Sequence, residues 1–251
     1  MTWHAKNYGG YAASSTEGQD NVSELCAVLY SMGWCDLAVA ALLGNGAGES
    51  GLNPWRWEGD YLPSFSEFQN WSAEEARHHG YGIFQFTPAS KYINATSANR
   101  YGYLGYGPNF SNMTGNPDDG AAQCMYFAEH VAGDFLHALY GYYYDDFMGI
   151  GVDITPWYYT NYESFINGTD NNGNPLSLNE MVGVFELCYE RPGDSYAASS
   201  YAYRCNQAAW WLDHLPDDPG PGPDPPGPGP GPMGFPWWIL FKFRGRGQIW
   251  K

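Results

Sequence analysis

Ala38-Val39-Ala40-Ala41-Leu42-Leu43-Gly44-Asn45-Gly46-Ala47-Gly48-Glu49-Ser50-Gly51 has two halves that disagree. The first six residues make a strong helix. They run straight into three glycines, each of which costs roughly 1 kcal/mol relative to Ala inside a helix. Such a break in local preference points to close backbone approach or to function. Glu49 sits where this helix should end, after an apolar run. A carboxyl there is expected to be partly desolvated, which suits it to hold and donate a proton. The plainer reading is an ordinary exposed Glu near a helix end.

Helix signals surround this stretch. Asn21-x-x-Glu24 reads as a capping box ahead of Leu25, Val28, Leu29 and Met32, with Gly33 as a stop. Asp36 caps the helix that runs to about Glu49. Thr87-Pro88, Asn116-Pro117 and Thr155-Pro156 read as N-caps followed by Pro at the first helical position. The second opens a long helix through Cys124, Phe127, Val131, Phe135 and Leu139. Ser177-x-x-Glu180 opens a helix to Tyr189 that Pro192 ends, and a last helix starts at Asp194 or Ser195 and reaches Leu215. Strand-like alternation is rare, and Tyr81 to Phe86 is the best short candidate. The expectation is a mainly α chain with a small β or irregular lobe between the second and third helices.

The sharpest boundary is residues 216–232, PDDPGPGPDPPGPGPGP, which hold nine Pro, five Gly and three Asp. This stretch reads as an extended, partly stiff linker. The organisation expected is an N-terminal extension (1–20), a main domain (21–215), the Pro/Gly linker (216–232) and a short C-terminal segment (233–251).

The chain carries 11 Lys and Arg against 27 Asp and Glu, a net charge of −16. Nucleic acid is disfavoured as a partner. Four cations, Lys242, Arg244, Arg246 and Lys251, lie in the last ten residues, leaving seven against all 27 acids before them. The start, Met1-Thr2-Trp3-His4-Ala5-Lys6, lacks the apolar stretch of a signal peptide. Trp237-Trp238-Ile239-Leu240-Phe241 is too short to span a bilayer. Aromatic residues make up 18%, enough to stack on sugar rings or simply to fill a large core.

LGNGAGESGLNP, followed 31 residues after Gly51 by Gly82-Ile83-Phe84-Gln85-Phe86-Thr87-Pro88, resembles the lysozyme-like superfamily. Glu-Ser-Gly is similar to the helix-end glutamate motif of goose-type lysozymes and lytic transglycosylases. Gly82-Ile83-Phe84-Gln85 resembles their Gly-Leu-Met-Gln motif. The ordered set, with the late Phe185-x-x-x-Tyr189-Glu190-Arg191-Pro192, resembles the phage tail lysozyme family over roughly residues 21–215. The resemblance implies a mainly α, lysozyme-like α+β fold. It also implies cleavage of the β-1,4 bond between N-acetylmuramic acid and N-acetylglucosamine.

Carried over residue by residue, the resemblance makes Glu49 the general acid. Gln85 and the backbone around Gly82 would line the cleft. Tyr81 is a candidate for stacking or for the core, and Phe84 for the core. A second carboxylate is sought at Glu58 or Asp60, in the loop between the two motifs, ahead of Glu74 and Glu75. Hydrolysis needs such a group ~5–5.5 Å or ~6.5–9.5 Å from the acid, according to stereochemistry. Trp55 and Trp57 flank that loop and would either stack on sugars or pin the loop to the core. No metal or cofactor is called for: the six His form no zinc pair, and no nucleotide-binding glycine motif is present.

The expected partner is peptidoglycan, and the expected location is the virion, at the phage tail, acting in the host envelope. Residues 233–251, apolar, aromatic and basic, read as an anchor to other tail proteins, with contact to a membrane surface as the alternative. An endolysin and an inactive lysozyme-like tail component are the rival readings.

Overall fold

One buried helix organises the chain. The computed structural model describes residues 3–97, 110–111, 119–135, 140–191 and 194–216. The helices, in chain order, are α1 (Thr16–Ser31), α2 (Asp36–Glu49), α3 (Phe65–Asn70), α4 (Ala73–Ala76) and α5 (Ser90–Ser97). They continue as α6 (Asp119–Asp134), α7 (Tyr140–Gly149), α8 (Tyr162–Ile166), α9 (Leu178–Phe185) and α10 (Asp194–Leu212). A π-helical turn, Glu186–Glu190, follows α9 directly. The structure is 61% helical against 3% strand, so the mainly α lysozyme-like expectation holds.

α2 is buried from Ala38 to Gly46, as a helix that is apolar all round must be. It packs against α10 and α9, and more lightly against α1. The glycines explain how. A methyl group at Gly44 would sit 2.6 Å from the Arg204 carbonyl oxygen and 2.9 Å from the Ala208 nitrogen, so only a residue without a side chain lets the α10 backbone come this close. Gly48 faces the Arg204 side chain. Asn45, fully buried, ties three helices. Its amide donates to Ala41 O at 2.9 Å and Val182 O at 3.2 Å, and its oxygen accepts from Arg204 Nη1 at 2.9 Å.

Several expectations shift. α1 begins at Thr16, not after Asn21. Its cap is Ser15, whose hydroxyl accepts from the Gly18 N–H at 3.0 Å. Asn21 is a buried clamp inside α1 that donates to His4 O and Leu52 O. The residues before α1 are built into the domain rather than extending from it. Trp3 is buried, Tyr11 N–H donates to Gly51 O at 2.8 Å, and Asn53 bonds Lys6 O and Gly9 O. Residues 81–86 form no strand. Isolated bridges pair Tyr81 with Trp57 and with Phe86, and the lobe otherwise consists of the short helices α3 and α4, a 3-10 turn at Glu58–Asp60 and loops. α5 starts at Ser90, beyond Thr87-Pro88, and Thr155–Tyr159 is a short 3-10 turn. Asn116-Pro117 and Leu139 lie outside the described residues, as do residues 217–232 of the linker and the whole segment 233–251. No helix among the described residues is long and apolar enough to cross a membrane.

Candidate active site

The end of α2 opens on a cleft of about 640 Å³, within the range of ligand-binding clefts. The helical side supplies Gly48, Glu49, Tyr196, Glu190 at the end of the π turn and Arg191 just after it. The loop side supplies Arg56, Glu58, Gly59, Arg77, His78, Gln85 and Thr87. A smaller hollow continues from it past Gln85, Thr87, Glu190 and Arg191 towards Lys91, Tyr126 and Asp134.

Glu49 lies on this cleft with its side chain 21% exposed. One of its oxygens, Oε1, accepts a hydrogen bond from Arg204 Nη2. Arg204 itself is completely buried. Its Nε donates to Ser200 Oγ at 3.1 Å and pairs with Glu186 Oε1 at 3.0 Å, while Nη1 holds Asn45. A bidentate, planar cation is suited to fixing several acceptors at once. The guanidinium therefore locks the orientation of Glu49 and leaves its other oxygen for the cleft.

Glu186 shares this cation with Glu49, and Glu190 lies within range of their charges. Glu186 is buried, accepts from Ser200 Oγ at 3.0 Å, and has no hydrogen-bond partner on Oε2 among the described residues. Burial pushes its carboxyl up to about 7, against the opposing pull of Arg204 and Ser200. Glu190 is raised well above the usual carboxylate range, by burial first and then by the charge of Glu49. Both residues come from the π turn, an irregularity often found at functional sites. Arg191 ends it at φ 50°, in the left-handed region that is strained for a side-chain-bearing residue.

The Glu-Ser-Gly motif also does local building. Ser50, fully buried, donates from Oγ to Ile83 O at 2.8 Å, which fastens the end of α2 to the second motif. That second segment is pinned from behind by α6. Ile83 N–H donates to Gln123 Oε1 at 2.7 Å, and Gln123 Nε2 donates to Pro54 O at 2.6 Å. Asp119, wholly buried, accepts from Tyr81, Tyr92 and Gln123. Burial raises it to about 6 although these bonds oppose the shift. Gln85, at φ 44°, is the side chain this scaffold presents to the cleft; its amide donates to Gly82 O at 2.8 Å.

The structure separates the sequence candidates. Glu49, Glu58 and Gln85 meet on one cleft. Glu58 is exposed there and accepts from Gly80 N–H at 2.9 Å. Asp60 is turned away, accepting from Gly9 N–H at 2.7 Å and pairing with Arg56 at 3.2 Å. Tyr81 and Trp57 are corrections: they are 0% and 1% exposed, with ring centroids 4.7 Å apart inside an aromatic cluster that includes Phe68, Trp71 and Phe110. Neither is available to stack on a sugar. Gly82 is likewise buried, at φ 85°, with its α-carbon against the Gln123 amide. Trp55 is half-buried and is not among the described residues lining the cleft.

Sequence reading missed Arg204 and Glu186, which no local motif advertises. Glu190 was visible only as part of the late Tyr-Glu-Arg-Pro run. A signal was present: Arg204 and Arg191 are two of only seven Lys and Arg in the first 241 residues, so each was worth placing.

A family model described as phage tail lysozyme matches residues 20–215, and the chain belongs to that family. No curated protein matches it. Membership implies a lysozyme-like, wall-degrading activity for a phage-associated protein.

Proposed function

We propose that this member of the phage tail lysozyme family is a glycosidase that cleaves the β-1,4 bond between N-acetylmuramic acid and N-acetylglucosamine, with Glu49 as the general acid. The observation that carries the reading is Glu49 itself: a carboxyl at the end of a buried helix, open to a cleft, with one oxygen fixed by buried Arg204. In the bound complex, the free oxygen of Glu49 gives its proton to the bridging sugar oxygen as the C1–O bond breaks. Glu58, on the loop side of the same cleft, is the carboxylate placed to face the positive charge that develops on the sugar ring. Gln85 orients the glycan. Arg56, Arg77 and Arg191 gather positive charge at the cleft of an otherwise acidic body, which suits the carboxylates of peptidoglycan stem peptides.

The protein acts from the virion, at the tail, with residues 233–251 tethered by the Pro/Gly linker to other tail components. Its amount in purified particles tests that placement, and a protein absent from particles supports the endolysin reading instead.

Glu49→Gln keeps the size of the side chain and removes the transferable proton. The expected outcome is a folded protein whose release of muropeptides from purified sacculi falls at least ~100-fold, the scale of general-acid catalysis. Near-native release by a folded variant rules out the assignment. Mass spectrometry of the wild-type products, reducing or anhydro ends, then separates hydrolysis from transglycosylation.

A further inference from the structure

The outer face of α10 is uncharged. From Tyr196 to Leu212 the helix has one charged residue, Arg204, and that one is buried. The exposed side of a surface helix is ordinarily its charged side, and this chain has 27 acids to place. Here that side carries Tyr196, 51% exposed, Tyr203, 53% exposed, and half-buried Trp210. They stand seven residues apart. Seven residues are two turns less about 20°, so the three side chains leave the helix along one line, at intervals of roughly 10.5 Å. Exposed Ser199 and Asn206 stand between them.

The line begins in the cleft and ends in a second hollow. Tyr196 lines the cleft together with Glu49. Tyr203 and Trp210 line a hollow of about 440 Å³ between α10 and the segment before α1, with Tyr11, Ser14, Asn206 and Gln207. None of the described residues lining it is charged, whereas the cleft is lined by arginines and carboxylates. Trp210 is held in place: His214 stacks on it with ring centroids 4.0 Å apart, and Trp211 meets it edge-on at 4.8 Å. A ring already fixed loses little freedom when a ligand settles against it.

These features specify the ligand. An uncharged hollow on an acidic body selects a neutral group. Tyr and Trp rings offer rigid apolar area to the C–H face of a sugar ring. Amides and hydroxyls beside them can exchange hydrogen bonds with sugar hydroxyl and N-acetyl groups. Rings at a fixed interval suit a polymer with a matching repeat, and one disaccharide of an extended β-1,4 chain is about as long as this interval. Each ring then meets the same sugar of every disaccharide. The neutral one is N-acetylglucosamine, which leaves the muramic acid and its peptide turned outward.

Resting on the glycosidase reading above, we propose that Tyr196, Tyr203 and Trp210 form a glycan track that extends the cleft along α10 and holds the uncleaved part of the strand, one disaccharide per ring.

Binding is measured on the full chain carrying Glu49→Gln, which keeps the strand intact. The probes are peptide-free glycan strands of about two and about six disaccharides, the longer one able to cover the cleft and the roughly 21 Å from Tyr196 to Trp210. The longer strand should bind at least ~10-fold more tightly. Adding Tyr203→Ala or Trp210→Ala should weaken its binding ~10-fold, the scale of losing one buried aromatic contact, and leave the shorter strand unaffected. Tyr203→Phe keeps the ring and should keep most of the affinity. Equal affinity for both lengths, or a folded Tyr203→Ala that binds the long strand as its parent does, overturns the track. Should Trp210→Ala not fold, Tyr203→Ala decides alone, because its side chain is half exposed. Sedimentation tests the other occupant: a wild-type dimer that Tyr203→Ala separates gives this face to a second copy of the chain and overturns the proposal. A wild type that binds long strands through Tyr203 yet cleaves none sinks the glycosidase reading and leaves the track. Native cleavage with length-independent binding sinks the track alone.

Discussion

The two sides of the cleft are built by opposite means. The helical side holds its functional group with buried charge. Arg204 and Glu186 are fully enclosed, and Glu49 is held through them. The loop side holds Glu58 and Gln85 with backbone hydrogen bonds and an aromatic cluster behind them, and leaves most of its charged groups in solvent. Charge in a pocket of low polarisability has large energetic consequences, whereas exposed charge has small ones. The same residue type should therefore behave differently on the two sides.

The largest contrast is between two arginines. Arg204→Met removes the buried cation that Glu49 and Glu186 share and leaves both without their ion-pair partner. Breaking a buried pair in this way costs about 3–5 kcal/mol, which for a domain of this size is roughly a 10 °C fall in Tm. Arg77→Met, at an exposed position on the loop side, should stay within about 0.5 kcal/mol. Thermal melting of both variants checks the pair. Equal effects would erase the distinction between the sides.

This contrast also explains what was legible in the sequence. Glu49 could be read because its surroundings break a local rule: three glycines at the end of a strong helix. That rule-breaking has a physical cause, since Gly44 admits the α10 backbone and Gly48 faces Arg204. The partner that demands the glycines lies 155 residues further along in sequence, and α10 carries no local anomaly to announce it. Trp57 and Tyr81 failed in the other direction. Their neighbours in the loop resemble a binding surface, but their burial is decided by Phe68, Trp71, Phe110 and the Asp119–Gln123 pair of α6. No window of sequence around them contains those contacts. Ser15 against Asn21 is a smaller case: both are good caps, and the contact of Asn21 with His4 and Leu52 decides which one is free to cap.

pH gives a middle-sized effect. Glu186 is raised to about 7 and Asp119 to about 6, both above their unfolded values near ~4. A folded state that binds protons more tightly than the unfolded one gains stability from them. That gain is complete below about pH 4 and is lost as pH rises through about 6 and then about 7. Melting should therefore be higher at about pH 5 than at about pH 8, by an amount of order 1–3 kcal/mol. The lowered carboxyls, Glu67, Glu75, Asp153 and Asp170, are held down by hydrogen bonds and stay ionised across this interval. They do not mask the trend. Glu186→Gln should flatten the upper part of the profile and Asp119→Asn the lower. A profile that keeps its slope in both variants would place the titrating groups elsewhere.

The smallest expected effects fall on the two loop carboxylates, and they should be of different kinds. Glu58 opens on the cleft and contributes one bond to Gly80 N–H. Asp60 does not line the cleft; it fastens the N-terminal segment through Gly9 N–H and pairs with Arg56. Glu58→Gln keeps an oxygen for Gly80 but removes the charge facing the substrate. It should lower turnover by less than Glu49→Gln does, with Tm unchanged. Asp60→Asn keeps part of its hydrogen bonding and loses a half-exposed ion pair, worth about 0.2–1 kcal/mol, so Tm should dip by a few degrees at most while turnover stays native. Measured side by side, a kinetic defect in one and a stability defect in the other assigns the facing carboxylate to Glu58. A kinetic defect confined to Asp60→Asn would mean that the loop turns over when glycan binds, bringing Asp60 into the cleft.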